Sequence, residues 1–313
     1  MSQWSFDCRL SGGVHRNPPL AQKPARASVL RPAFVNAVVA SLVLAFATNQ
    51  CAIAQTSQQK STQQKRLATQ ATPYRYSMRY IGSFVGLELG NAHIIANLAG
   101  NNFTMAGAVK NSGGVGGLLQ PNNILVSSAG VHDPKAIVWK TYHLDHTYSE
   151  KNKHRNVDMR NTNGRVEVFA EPGFGPPVSM PVTSAQKREA RDPLSTVFAI
   201  SRHVALTKSC AGTWPIYDGH VRYDLVATQL EPAPIGGVMP GMAIRCLMRY
   251  ERIAGFKPGK PGEAQKPYPE PIFWFVIDKR PDGSTPFAPI VRMEMPVLLL
   301  GSVNVDLTEL DIK

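Results

Sequence analysis

Residues 74–82 read YRYSMRYIG. Tyr74, Tyr76, Met78 and Tyr80 alternate with Arg75, Ser77 and Arg79, a period of two that puts rings and a thioether on one face of a strand and polar groups on the other. In a helix the same four residues would be scattered round the circumference. The stretch predicts a half-buried β-strand, and it sets the fold class.

The pattern continues toward the C-terminus. FVGLELGNAHIIANLAG and NNFTMAGAVKN read as further strands, broken at Gly90, Gly100, Asn101 and Asn102, which are turn residues. AIVWKTYHLDHTY follows, then RNVDMRN and GRVEVFAE across a Thr162-Asn163-Gly164 turn. HVRYDLVATQLE, MAIRCLMRYERI, PIFWFVIDK, PIVRMEMPV and SVNVDLTEL complete the set, all rich in the β-branched and aromatic residues that suit a pleated surface. One segment departs from this rule. Asp192 and Pro193 suit a helix N-cap and first turn, and Leu194, Val197, Phe198 and Val204 fall near helical spacing, so residues 193–204 are expected to form one short helix on the sheet. Some ten strands, one helix and no alternation of strand with helix predict a mainly β fold: a large curved antiparallel sheet or partial barrel. It is read as a single β-rich domain over 74–313, with KPGKPGEAQKPYPEP at Lys257–Pro271 as a surface excursion between strands.

Ahead of the domain, residues 55–73 carry six Gln among Ser, Thr and Lys and offer almost nothing to bury, the composition of a disordered tether. Residues 1–54 read as a signal peptide. A basic lead with Arg9, Arg16, Lys23, Arg26 and Arg31 precedes the apolar run Ala33–Ala47, which falls short of the ~20 residues of a spanning helix. Ala52, Ile53 and Ala54 supply the small-x-small pattern of a cleavage site before Gln55. Thr48, Asn49 and Gln50 stand before Cys51, where a lipoprotein signal needs small and aliphatic residues. The expected location is the periplasm; the alternative is an N-terminal anchor in the inner membrane.

The formal charge of the 313-residue chain is +12. Five basic residues and one acid lie in the signal segment, which leaves +8 on the mature chain. In an exported protein that balance points to anionic envelope partners rather than nucleic acid. Cys210 and Cys246 are the two cysteines that remain after cleavage, and in an oxidising compartment they are expected to form a disulfide.

Catalytic patterns are sparse. SGGVGGLL at 112–119 lacks the Lys-Ser/Thr of a phosphate loop, and no G-x-S-x-G or H-E-x-x-H occurs. His143 and His146, three apart on a strand, point to opposite faces and do not make a metal pair. Ser184 and Lys187 match S-x-x-K without its companion motifs, so TSAQKREA reads as a polar linker. No cofactor, metal or catalytic residue is assigned, and the balance leans away from an enzyme. Two surfaces remain as candidates. Lys151, Lys153, Arg155 and Arg160 form a candidate surface for an anionic partner. Phe273, Trp274 and Phe275 place aromatic rings on both faces of a strand and form a candidate apolar cavity lining.

YRYSMRYIG, RDPLSTVFAI, IYDGHVRYDLVA, CLMRYERIAGFKPGKP and FWFVIDK occur in that order, and together they resemble the exported proteins grouped as domain of unknown function family 3108. The likeness runs from Tyr74 to Leu310, with the Asp218-Gly219 turn, Tyr223, Asp224 and Cys246 among its most specific pieces. It implies a β-dominated protein exported to the periplasm of a Gram-negative cell, and carries no catalytic set. The functional expectation is a periplasmic cell-envelope protein that binds a lipophilic ligand or an envelope polymer without catalysis. The alternative is a structural or protein-interaction module of the envelope with a protein partner; an envelope hydrolase ranks third.

Overall fold

A computed structural model describes residues 73–111, 122–133, 136–148, 153–175, 180–256, 268–279, 287–297 and 301–313. The signal segment, almost all of the tether, the Gly run at 113–117 and Lys151 lie outside the described residues.

The described chain forms strands β1 (Tyr74–Phe84), β2 (Leu87–Ala99), β3 (Asn102–Asn111), β4 (Asn122–His132), β5 (Ile137–Tyr148), β6 (Lys153–Thr162) and β7 (Arg165–Glu171). Helices α1 (Ser184–Glu189) and α2 (Pro193–Thr207) follow, then β8 (Gly212–Tyr217), β9 (Arg222–Ile235), β10 (Gly241–Ala254), β11 (Ile272–Phe275), β12 (Ile290–Val297) and β13 (Gly301–Ile312). All thirteen strands belong to one sheet in the order β7-β6-β5-β4-β3-β2-β1-β13-β12-β11-β10-β9-β8. Every neighbouring pair is antiparallel, so the sheet is a meander whose first strand has been joined to its last.

YRYSMRYIG behaves as its alternation predicts: Tyr76, Met78 and Tyr80 are buried, while Arg75 and Arg79 are exposed. Opposite Tyr80 and Met78, Leu307 and Leu310 of β13 pack into the same interior. The sheet curls. Gly219, in the turn between β8 and β9, sits so close to β6 and β7 that an added Cβ would lie 2.7 Å from Val157 and 3.4 Å from Val168, although β7 and β8 are the two ends of the strand order. The segment leading into α2 helps to close the gap. Arg191 N–H donates to Pro215 O at 3.0 Å and Tyr217 N–H to Arg191 O at 2.9 Å, a parallel bridge onto β8. Trp139 Nε1 of β5 meanwhile donates to Ala190 O at 3.0 Å.

Helix α2 fills the interior. Leu194 and Phe198 join Tyr76, Phe103, Trp139 and Phe287 in one apolar cluster; Ile200, Val204 and Ala205 join Cys246, Met248 and Phe275 in a second. A helix buried on opposite sides needs apolar or small residues nearly all round, and PLSTVFAISRHVALT provides them. Phe198 stacks on Phe103 at 4.3 Å between centroids and lies 6.0 Å from Phe287. The helix runs three residues beyond the expected 204. Its stop is Lys208 in the left-handed conformation at φ 60°, whose N–H returns to Val204 O at 2.9 Å, a role that sequence reading normally gives to glycine. The disulfide between Cys210 and Cys246, Cα atoms 6.2 Å apart, then ties the end of the helix to β10.

The expected polar linker TSAQKREA is instead a second helix, α1. Thr183 caps it by accepting from Gln186 N–H, and the Gln186 side chain accepts in return from Thr183 N–H. Two strands exceed the expected set: β4, whose Ser127, Ser128, Ala129 and Gly130 lack β-formers, and β8, which tolerates Pro215 because it is an edge.

Candidate functional site

The most enclosed polar group is the helix cap. Asp192 is fully buried and accepts from Ser195 N–H at 2.8 Å and from Ser128 Oγ at 3.0 Å; the Ser128 and Ser195 hydroxyls lie 2.7 Å apart. Burial pushes the Asp192 carboxyl up to about 6, against the opposing pull of these hydrogen bonds. A carboxylate with two hydroxyls resembles a nucleophile and its base, but Ser128 and Ser195 are buried like the acid. What this cluster does is bolt the first turn of α2 to β4.

Accessible chemistry lies on the opposite face of β4 to β7. Tyr142, Met159 and Val168 face the core, so their neighbours must face out. The register sets Ser127 opposite His143, His143 opposite Asp158 and Asp158 opposite Phe169. A second row sets Thr141 opposite Arg160 and Arg160 opposite Glu167. These side chains line an open groove of about 540 Å³. His143 Nδ1 lies 2.8 Å from Asp158 Oδ1, and Glu167 is taken by Arg165 at 3.2 Å. Arg160 is exposed and has no ion-pair partner among the described residues, and Phe169 is 62% exposed at the rim. The groove thus presents hydroxyls, a free guanidinium and an aromatic ring in fixed register.

The basic residues expected to share one surface are divided. Arg160 lies in the groove, whereas Arg155 shares the alternation of Val157 and places its guanidinium 4.9 Å from the ring of Phe174, which stacks on His220 at 4.4 Å. Burial and the charge of Arg155 lower the pKa of nearby His146. Lys153 is exposed at the start of β6. The aromatic triplet divides likewise. Phe273 and Phe275 face α2 and border a space of only about 20 Å³ with Ile200 and Leu225. Trp274 points the other way, between the guanidinium of Arg245 at 4.6 Å and that of Arg292 at 5.7 Å. The groove as a whole was invisible to sequence reading, because Ser127 and Thr141 gain meaning only once the strand register brings them beside Arg160.

The fold and the groove define a mainly antiparallel β protein with an interior filled by its own helix and its accessible chemistry on the outside of the sheet. Residues 75–231, half of the chain, match the family described as Protein of unknown function (DUF3108), and the chain belongs to that family. The match agrees with the resemblance read from the sequence motifs. No curated protein matches the chain. Among solved structures it is similar to a beta-barrel-like protein of domain of unknown function DUF1849 from Brucella abortus, at 11% identity over 77% of this chain and 98% of that one, with a TM-score of 0.45.

Proposed function

We propose that the protein is exported to the periplasm and binds an anionic, sugar-containing polymer of the cell envelope along the groove of β4 to β7. The observation that carries this reading is Arg160, without an ion-pair partner among the described residues, set between the hydroxyl of Thr141 and Glu167, which Arg165 already engages, with the exposed ring of Phe169 two residues farther along β7. A guanidinium suits carboxylate or phosphate, hydroxyls and the His143–Asp158 pair suit sugar hydroxyls, and an open groove admits a chain that continues past both ends. The Cys210–Cys246 disulfide supports export, since such bonds persist in oxidising compartments. A polymer is favoured over an enclosed lipid because α2 occupies the inside of the sheet and leaves only about 20 Å³ beside Phe273 and Phe275.

The test is co-sedimentation of purified protein with isolated peptidoglycan sacculi, alongside the variants Arg160→Glu and Phe169→Ala. Binding that weakens several-fold in both variants is expected. Wild-type protein left in the supernatant, or variants that pellet as well as wild type, would overturn the assignment. The intact mass of protein recovered from the periplasm, expected to begin at Gln55, tests the export step separately.

A further inference from the structure

A second recess lies on strands the groove does not include. The tip of the β9–β10 hairpin, Pro234–Met239, folds over β12 and β13 and encloses about 340 Å³ above Val291, Arg292, Asp306 and Leu307, within the roughly 300–1,000 Å³ range of small-ligand sites. Ile235 and Met239 pack against the core, while Val238 stays exposed. The hairpin tip is therefore held by its own apolar side chains. Gly236 and Gly237 form its turn, with Gly237 at φ +84°.

The floor is an ion pair with most of its hydrogen-bonding capacity unused. Arg292 Nε meets Asp306 Oδ1 at 2.5 Å, and both side chains are about one-third exposed. A guanidinium has five N–H donors and a carboxylate about four acceptor sites, and this contact uses one of each. Neither side chain has another hydrogen bond among the described residues. The guanidinium is also held in position: it lies 5.7 Å from the ring of Trp274, which also stands 4.6 Å from the Arg245 guanidinium and whose indole N–H donates to Glu294 at 3.2 Å. Arg245, Trp274, Arg292 and Asp306 stand directly opposite one another across four strands, so the donors and the acceptor are fixed side by side before any ligand arrives.

We propose that this recess is a saccharide-binding site in which adjacent hydroxyls of one sugar ring bridge the Arg292 guanidinium and the Asp306 carboxylate. A hydroxyl both donates and accepts, so a vicinal pair satisfies Arg292 donors and the free Asp306 oxygen together. A free phosphate or carboxylate would meet the repulsion of Asp306. The backbone of Gly236 and Gly237 covers the ring without side chains in the way. The site is independent of the groove at Arg160.

Trp274 is a built-in reporter. The experiment follows its indole N–H resonance, assigned by its loss in Trp274→Phe, while the full-length mature protein is titrated with chitobiose, cellobiose, the N-acetylglucosamine–N-acetylmuramic acid disaccharide and, separately, inorganic phosphate. A saturable shift with at least one disaccharide and none with phosphate is expected. Arg292→Ala and Asp306→Ala should each weaken that binding at least tenfold. Gly236→Trp should block it without disturbing the core, since a Cβ at Gly236 meets nothing within 4 Å, and it serves if Arg292→Ala does not fold. Arg160→Glu should leave the titration unchanged even if it abolishes sedimentation with sacculi, which separates the two sites. No saturable shift with any disaccharide, an equal response to phosphate, or full binding by Gly236→Trp would overturn the proposal.

Discussion

Ser128 Oγ donates to Asp192 Oδ2 at 3.0 Å across 64 residues of sequence, joining β4 to the first turn of α2. The same carboxylate caps the helix through Ser195 N–H, so one side chain fixes both where the helix begins and where it docks. It does so from a fully buried position, and burial raises its pKa from 3.8 to about 6.

This shift makes stability depend on pH in a defined direction. Below about pH 4 the carboxyl is protonated in both the folded and unfolded chain; between pH 4 and 6 the folded chain keeps the proton that the unfolded chain has released. Stability contributed by Asp192 is therefore lost as pH rises through that window, by about 3 kcal/mol for a shift of about two units. Asp192→Asn keeps an oxygen for the cap and cannot ionise. Urea unfolding at pH 4, 5, 6 and 7 should show wild type losing ground against Asp192→Asn by up to that amount, then running parallel above pH 7. Asp192→Ala should be less stable than Asp192→Asn at every pH, by about 1–3 kcal/mol, because the Ser195 N–H loses its acceptor and the Ser128 hydroxyl keeps only Thr141 O and the Ser195 hydroxyl.

The start of α2 was legible because Asp192-Pro193 carries its mechanism in the local sequence, and the strand YRYSMRYIG because its alternation does. The partner of Asp192 was not legible: Ser128 lies in the small-residue stretch Ser127–Gly130 of β4, and nothing local says that it faces a helix. The same reason hid the groove. Arg155 and Arg160 look like one basic run, but their odd spacing on a strand sends one toward Phe174 and the other into the groove. TSAQKREA carries its helix signal locally, since Thr183 and Gln186 have the spacing of a capping box. The end of α2 at Lys208 carries no such signal.

The Cys210–Cys246 bond links residues 36 apart and holds the end of α2 against β10. Closing a loop of that length removes unfolded-chain entropy worth roughly 4 kcal/mol. The double variant Cys210→Ala/Cys246→Ala should unfold at a correspondingly lower urea concentration, and reductant should lower the wild-type midpoint toward it while leaving the variant unmoved.

Phe198 is the ring around which the interior is assembled, wholly buried and stacked on Phe103 at 4.3 Å. Truncation to alanine leaves a void among Phe103, Phe287 and His132, rings contributed by separate parts of the fold that cannot all move in to fill it. Phe198→Ala should cost about 3–5 kcal/mol. Phe169→Ala, on the exposed rim of the groove, should leave stability within about 0.5 kcal/mol of wild type. Paired thermal melts check both, and a large loss at Phe169 would contradict its place outside the core.

Gly219 reports on whether the curled sheet brings its ends together. Its φ of +100° lies where glycine is favoured, Tyr217 Oη donates to its carbonyl at 2.8 Å, and an added Cβ would stand 2.7 Å from Val157 Cγ1 on β6. Gly219→Ala therefore combines backbone strain with a clash against the far end of the same sheet, and about 2–4 kcal/mol of destabilisation is expected. Gly236→Ala is the control, because a Cβ there meets nothing. The clash component can be separated from the strain by combining Gly219→Ala with Val157→Ala: if β6 truly packs on the β8–β9 turn, the second change removes the methyl that collides, and the double variant loses less than the sum of the two single losses. Strict additivity in urea unfolding would mean that the two ends do not touch in solution, and that the groove of β4 to β7 belongs to an open sheet instead of a curled one.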